Sequence, residues 1–345
     1  MAQLTPVFDG HNDVLTDDDH AGIASGRPNG HIDLAKMAAG GMRGGIFAVF
    51  VPSEDEYDDF EVDGDGVKFR TIPPEVEHEH AAAYALSAAG RLFALERAGH
   101  LRVARGIADI DAAKQGDGPP VAVLHFEGAE AIDDQLEALE TWYAAGLRSL
   151  GPVWSRHNRF GHGVPFRFPS SPDTGPGLTE RGFELVRRCA ELGIMVDLAH
   201  GNEQLFWDVA GLELGPLVVS HAGAHTISQA SRNITDRQLD AVKASGGLVG
   251  VVFASMFLRR DFENTTDTEL HELVRHIEYI GLQIGIEHVA LGSDFDGARI
   301  PAAVGDAAGL PRILDKLREG GYFNEAEIEQ LAWNNWRRVL NEWWH

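Results

Sequence analysis

Two residues apart, a histidine and an aspartate close the first apolar run of the chain, VFDGHND, as His11 and Asp13. Alternate residues of an extended chain project to the same side, so both side chains can serve one point in space. The same kind of ending recurs. VAVLHFEG closes on Glu127, GIMVDLAH on His200 and PLVVSH on His221, and HVALGSDFDG delivers Asp294 and then Asp296. Imidazoles and carboxylates facing one another away from water are costly when uncompensated, and a divalent cation compensates them. Nitrogen and oxygen donors without thiolate suit zinc, with manganese, cobalt or iron as alternatives. Five ligands, His11, Asp13, Glu127, His200 and His221, exceed what one tetrahedral ion takes. Two ions roughly 3.5–4 Å apart, bridged by a carboxylate, would use them all. A mononuclear site is the alternative. Each member alone is weak, since HxD is common and a lone strand-end histidine is usually a satisfied polar group. The ordered series carries the inference.

The elements that must position these groups are short apolar runs rich in β-formers at 7–11, 44–51, 120–126, 149–154, 194–199, 216–220, 247–253 and 288–293. Helical patterns lie between them, the clearest being HAAAYALSAAGRLFALERAG, with QLEALETWYAAG, TERGFELVRRCAELG, DRQLDAVKASG and TELHELVRHIEYIGLQIG further on. NEAEIEQLAWNNWRRVLNEWW reads as one final helix. Several strands are continuous Val/Ile/Leu runs, as in a parallel sheet covered on both faces. Eight strand–helix units are the arithmetic of a single (β/α)8 TIM barrel spanning 1–345, whose active site lies where the strands end. A doubly wound open sheet is the alternative. Two segments interrupt the repeat. Residues 52–76 read as a surface insertion; aligning Asp59, Glu61, Asp63 and Gly64 with a calcium loop puts Arg70 where a bidentate Glu belongs, so that match fails. Residues 155–177, rich in Gly, Pro and Arg, follow the fourth strand and suit a substrate loop.

Composition narrows the class. The chain is 44% hydrophobic and 24% charged, as in ordinary globular proteins. A formal net charge of -24 argues against nucleic-acid or anionic-membrane partners. Cys189, the only cysteine, excludes internal disulfides and a thiolate zinc site. The N-terminus lacks a secretory pattern and no apolar run reaches membrane-spanning length, so the expectation is a cytoplasmic protein without membrane partners. Among the other histidines, His20, His78, His80, His276 and His288 read as surface residues. His31 reads as a helix-entry polar group, and His125, two before Glu127, can point the same way as the ligand.

The motifs FDGHND, FEGAEAI, DLAH, SHAGAH, SRNITD and LGSDFDG, in this order over nearly the whole chain, resemble the membrane dipeptidase (renal dipeptidase, M19) family within the amidohydrolase-like barrels. The resemblance implies a metallo-dipeptidase with two zinc ions, one held by His11 and Asp13 and one by His200 and His221. Glu127 and a hydroxide would bridge them. It also implies that Asp294 is the acid/base carboxylate and that Arg232, in SRNITD, pairs with the carboxylate of a small dipeptide, including L-Xaa-D-Xaa. Members often form dimers, which makes a homodimer an expectation of the same kind.

The chain departs from the pattern at strand four, where the family has a Thr-His pair that contacts the substrate carbonyl. GPVWSRHN places Trp154 there, with His157 three residues on. Either His157 swings in, or Arg156 or Arg159 substitutes, or the substrate differs. Ala199 replaces a common Ser before His200, and SHAGAH a Ser-rich run; neither removes a ligand. Trp154 and the 155–177 loop motivate a second reading, an amidohydrolase acting on N-acyl amino acids. A non-catalytic barrel that binds a ligand is the remote one.

Overall fold

The computed structural model describes residues 4–17, 19–53 and 60–344. Residues 54–59 of the 52–76 segment, including Asp59 of the calcium-loop comparison, lie outside them.

Eight parallel strands form the barrel. They are β1 (Val7–Asn12), β2 (Met42–Phe50), β3 (Val121–Glu127), β4 (Leu147–Gly151), β5 (Met195–Val196), β6 (Val218–Ala222), β7 (Leu248–Val251) and β8 (Val289–Leu291). Pairing runs unbroken from β1 to β5 and again from β6 to β8. Two parallel bridges, Asp197 with Val218 and Asn12 with Phe295, join the arcs into a closed ring. An open sheet is thereby excluded. Every residue of β1 and β3 is buried, as strands covered on both faces require.

The five helical patterns between strands form helices, at His78–Arg97, Glu137–Ala145, Glu180–Leu192, Asp236–Ala244 and Leu270–Ile284. Thr179 caps the third by accepting from the Gly182 N–H, and Thr235 forms a capping box with Gln238 on the fourth. The expected final helix is interrupted. Glu325–Glu329 and Asn335–Trp343 flank a π-helical turn at Gln330–Asn334. That turn shifts the side-chain phase and seats two indoles on β1, with Phe8 5.5 Å from Trp333 and 6.1 Å from Trp336. Trp336 also donates to the Leu291 carbonyl of β8.

The two insertions are not independent. Glu61–Val62 and Lys68–Phe69 from the first join Arg167–Phe168 from the second in a three-stranded antiparallel sheet. An aromatic cluster lies under it, Phe168 stacked on Phe262 at 5.0 Å and Phe60 edge-on to Phe262 at 5.2 Å. The first insertion is therefore more than a surface feature, because it builds this cover with its neighbour. Among the described residues no helix is long and apolar enough to cross a membrane.

Two histidines expected at the surface are buried. His288 donates to the Gly247 carbonyl through Nδ1 at 2.9 Å. His276, fully buried on the Leu270–Ile284 helix, accepts the Ala224 N–H at Nδ1 (2.8 Å) and meets the Leu258 carbonyl through Nε2 (3.0 Å). His276 lies on the buried stripe of its helix and His288 ends the 3-10 turn Ile286–His288, and each finds a backbone partner that sequence periodicity alone does not show. Burial lowers the His276 pKa from 6.5 to about 4. Protonation would also aim a second N–H at Ala224. The unfolded chain therefore binds the proton first, so this group's contribution to stability is present above pH 6.5 and is lost as pH falls toward 4. Between pH 6.5 and 5 the loss amounts to about 1.5 kcal/mol. His276→Gln, which keeps an acceptor and a donor but does not titrate, should show a smaller drop in urea midpoint over that range. Parallel pH dependences in parent and variant would refute this.

Candidate metal centre

The C-terminal ends of four strands converge at one mouth of the barrel. β1 contributes His11 and, one residue past its end, Asp13; β3 ends on Glu127, β6 carries His221, and His200 lies beyond β5. Register sets the level of each. β2 and β3 pair residue for residue from Gly44–Val121 to Phe50–Glu127, and Glu127 also faces Gly151 of β4. Ser220, beside His221, can approach β7 and β8 because Gly250 and Gly292 stand there. A Cβ at either would fall 1.9 Å from the Ser220 carbonyl oxygen.

The result is a buried carboxylate surrounded by imidazoles. Glu127 Oε1 is 2.8 Å from His200 Nε2, 3.5 Å from His11 Nε2 and 3.6 Å from His221 Nε2. His11 Nε2 is also 3.5 Å from Asp13 Oδ2, and the His11 and His221 rings stack at 3.9 Å. Burial alone would raise the Glu127 pKa, but His11 and His200 hold it well below the ordinary value. Asp13 is raised, by burial and then by Glu127. Burial opposes the charge on His11, yet Glu127 and Asp13 raise it well above 6.5. His200 falls to about 4 and His221 well below 6.5, in both cases first through burial, so these two are neutral bases with lone pairs to offer.

Both ring nitrogens of His11 and Oδ1 of Asp13 are buried without a hydrogen-bond partner. Such atoms are rare unless a bound group satisfies them. The donor set is oxygen and imidazole nitrogen only, within 4.8 Å in the triads His11–Asp13–Glu127 and Glu127–His200–His221. It fits divalent cations. Supporting contacts orient the ligands. Ser220 Oγ donates to Asp197 (2.5 Å), which leaves it to accept from His221 Nδ1 (2.8 Å) and turns Nε2 toward Glu127. Ser155 Oγ lies 2.8 Å from His200 Nδ1.

A pocket of about 600 Å³ opens onto this cluster. Asp13, Glu127, His200, Arg232 and Asp294 form its polar side; Phe50, Trp154, Phe166, Met256 and Phe257 form its apolar side. Arg232 is 4% exposed, and neither Nη1 nor Nη2 has a partner. Burial lowers its pKa to about 10, Asp294 and Glu127 opposing the fall, so it stays charged. Asp294 lies past β8 with φ 62°, a left-handed backbone of the kind that persists only where surroundings over-determine it. Burial, then Asp13, raises its pKa to about 7.

The structure thus brings together His11, Asp13, Glu127, His200 and His221, with Asp294, Arg232 and Trp154 around the same pocket. It does not bring His157 there. His157 is exposed with its ring 4.8 Å from His162. Arg156 is buried against Glu130 (3.0 Å), and Arg159 pairs with Asp134 (2.8 Å). None of the three lines the pocket, and the Trp154 ring stands 5.7 Å from that of His200. Asp197, Ser155 and Ser220 went unnoticed in the sequence. A polar residue inside an apolar run, as in MVDLAH and VVSH, was the available signal. The aromatic walls come from scattered loops and had none.

A closed (β/α)8 barrel with a His/Asp/Glu cluster at its C-terminal mouth defines a metal-dependent hydrolase. The chain belongs to the membrane dipeptidase (peptidase family M19) family, whose model matches residues 1–343, and it is a metallo-dipeptidase. The dipeptidase AC metallo peptidase superposes with a TM-score of 0.91 at 42% identity, covering 99% of both chains. A Rhodobacter sphaeroides metallo peptidase, liganded with a phosphinate mimic of L-Ala-D-Ala, gives 0.92 at 41% identity over 99% of this chain and all of that one. A Klebsiella pneumoniae protein from the pqqA 5' region is 47% identical over 247 residues, 72% of this chain and 90% of its own.

Gly297 tests how tightly the centre is built. A Cβ there would fall 2.2 Å from Asp13 Oδ2 and 2.6 Å from Asp294 Oδ1. Gly297→Ala should displace both carboxyls and lower kcat/KM on the order of 10²-fold, the effect of a roughly 1 Å misplacement. The metal-free protein should melt within a few degrees of the parent. Unchanged kinetics would contradict the placement of these carboxyls.

Proposed function

We propose that the chain hydrolyses dipeptides with two zinc ions, His11 and Asp13 holding one, His200 and His221 the other, and Glu127 shared between them. The observation that carries this is the Glu127 carboxylate oxygen set among three imidazoles at 2.8 to 3.6 Å, with unpaired His11 and Asp13 atoms beside it. Bound there, the metals would polarise the scissile carbonyl and bring the pKa of water down to about 7. The chain's own residues do the rest. The unpaired fork of Arg232 suits the free carboxylate of a dipeptide, which it can grip bidentately. Asp294, near neutral in its pKa, can take a proton from the attacking water and pass it to the leaving amine. The aromatic side, Phe50, Trp154 and Phe166, excludes water and accepts apolar substrate side chains. The phosphinate mimic in the Rhodobacter relative supports including L-Xaa-D-Xaa substrates.

Trp154 favours a second reading, hydrolysis of N-acyl amino acids, because the indole wall gives an acyl chain apolar surface to pack on. A panel of L-L and L-D dipeptides beside N-acyl amino acids, with metal content measured on the same sample, decides between them. We expect dipeptide turnover and about two zinc per chain, lost together on chelation. Turnover confined to N-acyl compounds would sink the dipeptide reading, and one metal per chain would sink the shared carboxylate. Glu127→Gln should lose metal and activity together. Arg232→Met should lower kcat/KM roughly 10²-fold, since a charge-assisted pair contributes about 1.5–3 kcal/mol; full activity in that variant would place the carboxylate elsewhere.

A further inference from the structure

The second aspartate of SDFDG lines the pocket, and its carboxylate is held in an ion-pair network outside the five-residue cluster. Asp296 Oδ2 accepts from Arg27 Nη1 at 2.5 Å, and Oδ1 accepts the His31 backbone N–H at 2.6 Å. Its own N–H donates to His31 Nδ1 at 2.8 Å. Arg27 is 1% exposed and is the hub of the loop after β1. It donates to the Ile32 carbonyl (2.8 Å), pairs with Asp17 (3.1 Å) and Asp19, and its backbone N–H donates to Asp33 (3.0 Å). The loop is cut to fit this side chain. A Cβ at Gly30 would lie 2.3 Å from Arg27 Cζ, and one at Gly22 would lie 2.8 Å from its Cγ.

The same turn holds Asp294. Asp294 and Asp296 have φ of 62° and 67°, two left-handed non-glycine residues within three. Such a conformation persists only where neighbours over-determine it. On one side Asp294 N–H donates to the His11 carbonyl (3.0 Å) and Asp13 N–H to that of Phe295 (2.8 Å). On the other side the Arg27 and His31 contacts are what anchor the turn. We propose that Arg27 and His31, acting through Asp296, are positioning residues that lock the 294–296 turn and aim the Asp294 carboxyl at the metal centre. This rests on the acid/base reading of Asp294. Neither Arg27 nor His31 is among the residues that line the pocket.

The test uses the full-length metal-loaded enzyme. Asp296→Gly accommodates the left-handed backbone without strain and removes both side-chain contacts, leaving only the backbone N–H to His31 Nδ1, and Asp296→Asn keeps a side-chain acceptor in a residue that also tolerates this conformation. Asp296→Gly and Arg27→Met should lower kcat about 10²-fold with KM within threefold and metal content equal to the parent's. Asp296→Asn should recover kcat to within tenfold of the parent. In the Asp294→Ala background, Asp296→Gly should add nothing to the loss, because both act through one carboxyl. Multiplying losses in that double variant, or a kcat loss that merely tracks lost metal, would overturn the clamp; so would an unchanged kcat in Asp296→Gly. Should Arg27→Met fail to fold, the two Asp296 variants decide the matter alone. Asp294→Ala by itself separates the two readings. If it keeps parent kcat, the acid/base reading falls; if it loses activity while Asp296→Gly does not, only the clamp falls.

Discussion

A carboxylate with almost no access to water, ringed by three imidazoles, is the constraint on which the barrel mouth is built. Glu127 is 5% exposed, and its Oε1 has a histidine nitrogen on three sides. That arrangement exists only if β1, β3, β5 and β6 end at the same level. A one-residue slip of a strand turns every side chain to its other face, so a slip in β3 would swing Glu127 out of the centre. Seven consecutive pairs between β2 and β3 prevent it. On the far side of the ring the bare backbones of Gly250 and Gly292 admit the Ser220 carbonyl, and His221 arrives with it. Packing and electrostatics therefore demand the same register.

That these residues would cluster was legible in the sequence because barrel topology is regular. Polar groups that terminate successive parallel strands share one end of the sheet, whatever their separation in the chain. His11 and Asp294, almost the whole chain apart, meet for that reason. Strand boundaries were readable for the long runs, such as β2 and β3, and less so at β5, where an apolar run from 194 to 199 pairs as a strand only at Met195–Val196. The π-helical turn at Gln330–Asn334 was hidden because its composition is that of an ordinary helix; the phase shift comes from seating Trp333 and Trp336 on β1 and β8. The burial of His276 and His288 is not legible because a sequence pattern does not reveal which polar side chains find a backbone partner indoors.

Trp154 is where the pocket departs from what its motifs imply. A histidine there would place a donor near a substrate carbonyl. The indole instead packs on Phe50 at 4.9 Å and Phe166 at 5.7 Å, with the Arg156 guanidinium 5.5 Å from its ring. Arg156 in turn is fully buried on Glu130 and the Val51 carbonyl. The chain just past β4 thus forms an aromatic wall backed by a buried ion pair. The two insertions extend that wall, since Phe166 belongs to one and Phe60 borders the sheet they share. Chemistry at the metal side and shape at the aromatic side are carried by different parts of the chain. Substrate range can therefore change in the loops while the ligands stay as they are.

Charge is divided in a similar way. The chain carries a formal net charge of -24, and the substrate this site suits ends in a carboxylate. Exposed charges more than a Debye length away, about 8 Å at physiological ionic strength, are largely screened. What an arriving carboxylate meets is the pocket itself, where Arg70, Arg232 and Arg299 stand among the lining residues. Divalent ions at the five-ligand cluster would add to that field, as bound cations commonly form the largest local charges in a site. Burial keeps Arg232 from dispersing its charge into water, and the Asp294 and Glu127 carboxylates keep it protonated. An acidic surface and a pocket that offers arginines to a carboxylate are compatible because solvent and salt screen the distant exposed charges.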